Sequence, residues 1–243
     1  MSKNILIAGG GTGGHISPGL ALFEKLSEES GAGAFFLTGV NDLRFGSFAD
    51  LDESRVFTYN APALTINPFK LPFFIIKFMR CVMRTRRIIR KRNIAAVVGM
   101  GGYVSAPALA AARMTGTPYF LCEQNSVPGK VTLKFEKRCE YVFSTFAEAK
   151  SYMKFPGKFI HTGNPIRNNV LVPVSRTEAK KSFHLGHCAR IILVIGGSQG
   201  AVRLNELIMS LKKKYPHEFK NIGIIWSTGS LSFDEYKTRS QNE

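Results

Sequence analysis

The chain has 243 residues, 44% of them hydrophobic and 21% charged, and a formal net charge of +16. That hydrophobic content supports the packed core of one large domain or two modest ones and excludes global disorder. The four cysteines lack C-x-x-C spacing and the first apolar run, Ile5–Ala8, is too short for a signal-peptide core; together they exclude a disulfide framework and read as reduced thiols of a cytosolic protein.

Residues 4–8 (NILIA) run into glycines and read as a buried strand. After GGGTGGHISP, Leu20–Leu26 has helical spacing, and polar SEESGAG separates it from a second strand-like run, AFFLTG at 34–39. Strand, glycine turn, helix and strand in that order open a doubly wound α/β domain. From Ser54 to Cys122 there are eleven Lys or Arg and no Asp or Glu, a one-signed field that points to an anionic partner. Within it, residues 68–92 place Lys77, Arg80, Arg84, Arg87 and Lys91 on one helical stripe, with Phe74, Phe78, Val82 and Ile89 on another. Its longest uncharged run, Leu71–Ile76, is too short to span a bilayer, so the segment reads as an interfacial helix. Phe74, Lys77, Phe78, Arg80, Arg84 and Arg87 are its expected membrane contacts. No nucleic-acid module surrounds it, which leaves an anionic membrane surface rather than nucleic acid as the expected partner.

Two more strand-like runs follow, at 94–100 and 117–125, with SAPALAAARMTG between them reading as a helix from Gly102 to near Gly116. YVFSTF and KFIHTGNPI continue the alternation. A second unit begins at RIILVIGGSQGA (190–201), continues through helical RLNELIMSLKKKY, and reaches a second strand at IGIIWSTGS (222–230). Two strands and one helix do not close a doubly wound sheet, and the tail LSFDEYKTRSQNE carries no strand pattern, so this unit reads as incomplete.

Three glycine clusters stand at strand ends: Gly9–Gly14, Gly99–Gly102 and Gly196–Gly200. Glycines there permit close backbone approach and leave the first amides of the next helix free, which suits a diphosphate. Gly9, Gly11 and Gly14 satisfy G-x-G-x-x-G, but the acid expected about twenty residues on is absent, because Asp42 lies too far along. A kinase-type P-loop is excluded, since no Lys-Ser/Thr pair follows. His15, at the mouth of the first turn, is a candidate general base because its ordinary pKa lies near about 6.5.

GGGTGGHISP, GMGGYVSAP, EQNSVPG, TGNPIR and IGGSQGA resemble, in order and approximate spacing, the MurG family of peripheral transferases, over residues 4 to about 205. The resemblance implies an α/β, GT-B-like fold of two Rossmann-like doubly wound domains, the second incomplete. The expected domains are residues 1–163, facing acceptor and membrane, and 164–243, the start of the UDP-sugar domain. It implies an inverting transfer of N-acetylglucosamine from UDP-GlcNAc to undecaprenyl-pyrophosphoryl-MurNAc-pentapeptide, at the cytoplasmic face of the membrane, with no cofactor and no obligatory metal. Carried over, His15 is the base or acceptor-positioning group; Thr12, Gly13 and Gly14 line the cleft. Asn125, Arg167 and Ser198 contact the donor, and Gly101, Gly102 and Tyr103 face the acceptor pyrophosphate. Family members are longer, so a separate C-terminal half is an expected partner. The alternatives are a half-enzyme that only holds the lipid-linked acceptor, and a dinucleotide-dependent oxidoreductase.

Overall fold

The computed structural model describes residues 3–242 except 30–32, 45–47, 49–50, 64, 66, 198–199 and 230–231. It divides into two compact units, Met1–Leu171 and Val172–Glu243.

In chain order the first unit contains β1 (Asn4–Ala8), α1 (Gly13–Glu28), β2 (Ala34–Gly39), β3 (Val56–Tyr59), α2 (Leu71–Lys91) and β4 (Ile94–Gly99). α3 (Gly102–Thr115), β5 (Tyr119–Glu123), α4 (Lys130–Phe135), β6 (Val142–Ser144) and β7 (Phe159–His161) follow. The seven strands form one parallel sheet in the order β3-β2-β1-β4-β5-β6-β7. A parallel sheet covered on both faces needs apolar residues on both, which is why these strands read as runs rather than alternations.

Successive side chains point to opposite faces. Ile7, Phe36 and Val98 pack with Ile16, Leu20 and Phe23 of α1. Leu6, Leu37, Val97 and Leu121 pack on the other face with Val82 and Ile89 of α2, Ala108 and Leu109 of α3, and Phe135 of α4. The chain leaves β1 through α1 on one face and β4 through α3 on the other. The strand order therefore reverses between these neighbours and opens a crevice beyond their C-terminal ends. All four cysteines are buried and unpaired, and burial pushes the Cys122 thiol up to about 12.

β3 was not expected from the sequence: its four residues carry one buried side chain, too few for a visible period. α2 falls inside the expected 68–92 but is buried only in its second half, through Cys81, Val82, Thr85, Ile88 and Ile89. Its first half projects, with Phe73 69% and Ile76 51% exposed.

The second unit holds α5 (Arg176–Ser182), β8 (Arg190–Ile195), α6 (Val202–Lys214), α7 (Pro216–Phe219), β9 (Ile222–Ser227) and α8 (Phe233–Asn242). β8 and β9 pair in parallel, Ile192 opposite Ile224. Buried Asn205 ties α6 to the end of β9: its Nδ2 donates to the Thr228 carbonyl at 3.0 Å and its Oδ1 accepts from Trp226 Nε1 at 2.9 Å. α8 forms in the tail that carried no strand pattern. Tyr236 packs against Trp226 with ring centroids 5.5 Å apart, and Arg239 donates to both carboxylate oxygens of Glu206 at 2.6 and 3.0 Å. Those bonds, with one from Tyr236, hold the Glu206 carboxyl down to about 2.

Candidate active site

The first two glycine turns lie side by side because β1 and β4 are neighbours, Ala8 opposite Gly99. A Cβ on Gly102, which has φ +70°, would stand 2.9 Å from the Gly10 carbonyl and 3.2 Å from His15 Nδ1. The two backbones thus meet where a side chain would keep them apart. Tyr103 lays its half-exposed ring against Gly11. His15 is the third residue of α1, its Nδ1 3.0 Å from Thr12 Oγ1 and its other edge over Gly101.

Burial lowers the His15 pKa below the ordinary 6.5, although the Glu123 charge and the Gly10 carbonyl act the other way. The imidazole is therefore neutral at neutral pH, the form a base requires. Around it, the first-turn amides of α1 (Gly13, Gly14) and α3 (Gly102, Tyr103) have no acceptor within their own helices. The crevice presents amide donors and one neutral imidazole, a set suited to a diphosphate beside a hydroxyl that must lose its proton.

Asp42 has a role that sequence reasoning missed. It sits in a 3-10 turn (Val40–Arg44) after β2 and is 4% exposed. Its Oδ2 accepts from Gly11 N at 2.9 Å, Gly39 N at 3.0 Å and Thr38 Oγ1 at 3.1 Å. The carboxylate braces the first glycine turn from beneath and is closed off from a ribose hydroxyl, which removes the support for a dinucleotide site. The available signal was an acid three residues past the Thr-Gly that ends the second strand.

The structure brings Thr12, Gly13, Gly14, His15, Gly101, Gly102 and Tyr103 together. Asn125 follows β5, its Nδ2 donating to Glu123 Oε1 at 3.0 Å. Glu123 is itself buried and also accepts from Gly129 N at 2.9 Å and Thr132 Oγ1 at 2.6 Å. Arg167 lies elsewhere, its Nε 2.8 Å from Glu24 Oε1, with Asn168 N on the second oxygen at 3.2 Å. Glu24 is nine residues beyond His15 on α1, roughly 14 Å along the axis. Ser198 lies outside the described residues.

Lys77, Arg80, Arg84 and Arg87 are exposed along α2, while Phe74 and Phe78 are half-buried and stacked, 5.8 Å between centroids. These two rings, Met79 and Val82 line one wall of an apolar groove of about 750 Å3; Tyr103, Ala106 and Phe135 stand opposite, with Arg113, Lys130, Lys134 and Arg138 among its lining. Among the described residues no helix is long and apolar enough to cross a membrane.

Residues 5–144 match the glycosyltransferase family 28 N-terminal domain. The chain is 33% identical to a UDP-N-acetylglucosamine--N-acetylmuramyl-(pentapeptide) pyrophosphoryl-undecaprenol N-acetylglucosamine transferase of Christiangramia forsetii, over 96% of this chain and 63% of the relative. A transferase of the same name from Leptospira interrogans is 32% identical over 99% of this chain and 66% of its own. The chain thus spans about two thirds or less of the length of these curated relatives. Among solved structures it is similar to Acinetobacter baumannii MurG (TM-score 0.62, 22% identity, 99% of this chain and 63% of that one). A putative UDP-N-acetylglucosamine 2-epimerase from Listeria monocytogenes gives a TM-score of 0.65 at 12% identity, over 99% and 66%. Both likenesses show the fold, a two-domain α/β architecture of which the seven-stranded sheet is the N-terminal Rossmann-like half.

Proposed function

The chain belongs to glycosyltransferase family 28, and from that premise we propose that it takes part in inverting transfer of N-acetylglucosamine from UDP-GlcNAc to undecaprenyl-pyrophosphoryl-MurNAc-pentapeptide, a step of peptidoglycan synthesis. The observation that carries the reading is a neutral, half-buried His15 held between two glycine turns whose helices offer free first-turn amides. In this assignment the first unit takes the acceptor: the amides of Gly13, Gly14, Gly102 and Tyr103 hold pyrophosphate oxygens, and His15 takes the proton of the attacking hydroxyl. The resemblance assigns Asn125, Arg167 and Ser198 to the donor. For Arg167 this leaves the two terminal nitrogens for a phosphate, since its Nε is held by Glu24. Inversion needs one displacement: the acceptor oxygen bonds the anomeric carbon as the bond to UDP breaks and the electron pair leaves with the diphosphate.

The membrane contact of this reading is α2, whose exposed Phe73, Ile75 and Ile76 stand beside exposed Lys77 and Arg80. A peripheral place at the cytoplasmic leaflet follows, since interfacial helices combine buried apolar side chains with basic residues at anionic headgroups. The test is label transfer from UDP-GlcNAc to a short-chain lipid-pyrophosphoryl-MurNAc-pentapeptide, with and without a separately supplied C-terminal half. His15→Ala should lower kcat by roughly 100-fold or more, and the acid limb of the wild-type pH–rate profile should lie below 6.5 because burial lowers the His15 pKa. Equal activity of wild type and His15→Ala under both conditions would remove His15 as base.

A further inference from the structure

Gln124 shares the surroundings of Gly101 with His15 and carries an anomaly. It follows β5 directly, and its Nε2 donates to the Cys122 carbonyl at 3.3 Å. That bond fixes which end of the amide faces away, and the Oε1 at that end is buried with no partner among the described residues. A buried acceptor left unpaired is costly, so such groups mark places where a donor arrives. The direction it faces is set by Gly101. A Cβ built on that glycine would lie 3.0 Å from His15 Cδ2, 3.1 Å from His15 Nε2 and 3.6 Å from Gln124 Oε1. The niche above Gly101 stays open because φ +87° favours a residue with no side chain. His15 Nε2 and Gln124 Oε1 bound it together.

The tautomer of His15 makes the pairing informative. His15 Nδ1 lies 3.0 Å from Thr12 Oγ1, and both Nδ1 and the Gly10 carbonyl lie against Gly102. The transferase reading requires the tautomer in which Nδ1–H donates to Thr12 Oγ1 and Nε2 presents its lone pair. In the resting site, therefore, two acceptors face one niche and cannot bond to each other.

We propose that Gln124 is the positioning residue of the base: its Oε1 receives the N–H that appears on His15 Nε2 when the acceptor hydroxyl gives up its proton. This rests on the transferase reading of His15. In that step the hydroxyl O–H bond breaks, the oxygen bonds the anomeric carbon, and the sugar–diphosphate bond breaks with its electron pair leaving on UDP. The proton stays on Nε2. That single N–H is shared between the oxygen that released the proton and Gln124 Oε1, and the Gln124 share exists only once the charge develops, so it stabilises the transition state and not the bound substrate. The other groups facing the ring are already occupied or uncharged. Thr12 Oγ1 sits on Nδ1, Glu123 of β5 is bonded to Asn125, Gly129 and Thr132, and Asp42 to Gly11, Gly39 and Thr38.

The test is an NMR titration of the His15 imidazole on the full chain without sugar substrates, its signals identified by their loss in His15→Ala. Gln124→Leu removes the acceptor of the imidazolium and should lower the His15 pKa further; isosteric Gln124→Glu places a carboxylate there and should raise it. A His15 pKa unmoved by both variants overturns the proposal. In the transfer assay, Gln124→Leu should cost roughly ten- to a hundredfold in kcat, as for one hydrogen bond to a charged group, with KM for UDP-GlcNAc unchanged. The same substitution should cost nothing more in a His15→Ala background; a second full loss there overturns the proposal. If wild type transfers no label even with the C-terminal half supplied, the transferase reading falls while the titration still decides the His15–Gln124 pair.

Discussion

Asp42 Oδ2 gathers three donors in the space that a side chain at residue 10 would need: a Cβ there would stand 2.2 Å from Oδ2 and 2.8 Å from Thr38 Oγ1. Gly10→Ala should therefore destabilise by about 1–3 kcal/mol through overpacking. Asp42→Ala, which strands two backbone amides and a hydroxyl in a buried place, should cost about 3 kcal/mol or more. The two losses should not add, because removing the carboxylate removes most of the clash, so Gly10→Ala becomes nearly free in the Asp42→Ala background. Urea midpoints of the four proteins at constant m check this, and strict additivity would show that the turn and the carboxylate are independent. At this scale the sequence was partly legible. The glycines and His15 announce an anion site, because their chemistry depends on near neighbours. Asp42 and Gln124 do not, because each acts on atoms more than thirty or a hundred residues away in sequence. Arg167 shows a further limit: its pairing with Glu24, 143 residues away, cannot be read from the TGNPIR motif.

Among elements, α2 carries the strongest expectation. Its buried half holds it to the sheet through Val82, Thr85, Ile88 and Ile89, while Lys77, Arg80, Arg84 and Arg87 face solvent. Reversing those four charges should leave helix content and thermal stability nearly unchanged. It should weaken partition onto anionic liposomes by roughly three orders of magnitude or more, at about 1 kcal/mol per basic residue. Unaltered co-sedimentation would detach the basic stripe from the membrane. The period of this helix was legible because a strip of charges and a strip of apolar residues repeat over 21 residues. The boundary between its buried and projecting halves was not, since both halves carry similar side chains and only the neighbouring α3 decides. α8 was missed for a related reason. Its exposed residues are mostly polar, and what orders it is Tyr236 against Trp226 and Arg239 on Glu206, contacts made outside the helix itself.

At the scale of the molecule, the alternation of apolar runs and glycine turns made the doubly wound sheet legible, while β3 gave too short a run to be seen. The two compact units meet in sequence at residues 171–172, where Val170, Leu171, Val172 and Val174 are all exposed. Exposed connectors with few backbone bonds are preferred sites of cleavage. Limited proteolysis with a protease that accepts aliphatic residues should first cut between 170 and 175, leaving the seven-stranded unit intact by mass spectrometry; first cuts within 94–144 would contradict the division. β1 has β2 on one side and β4 on the other, and β4 begins ninety residues after β1. At roughly 5–20 residues per second of synthesis, the first glycine turn leaves the ribosome several seconds before the second. Non-local parallel pairing is the slow part of folding. His15 therefore waits, without Gly101 beneath it or Gln124 beside it, until residue 124 has been made. The crevice is among the last features of this unit to form, and a nascent chain ending before β5 has no site.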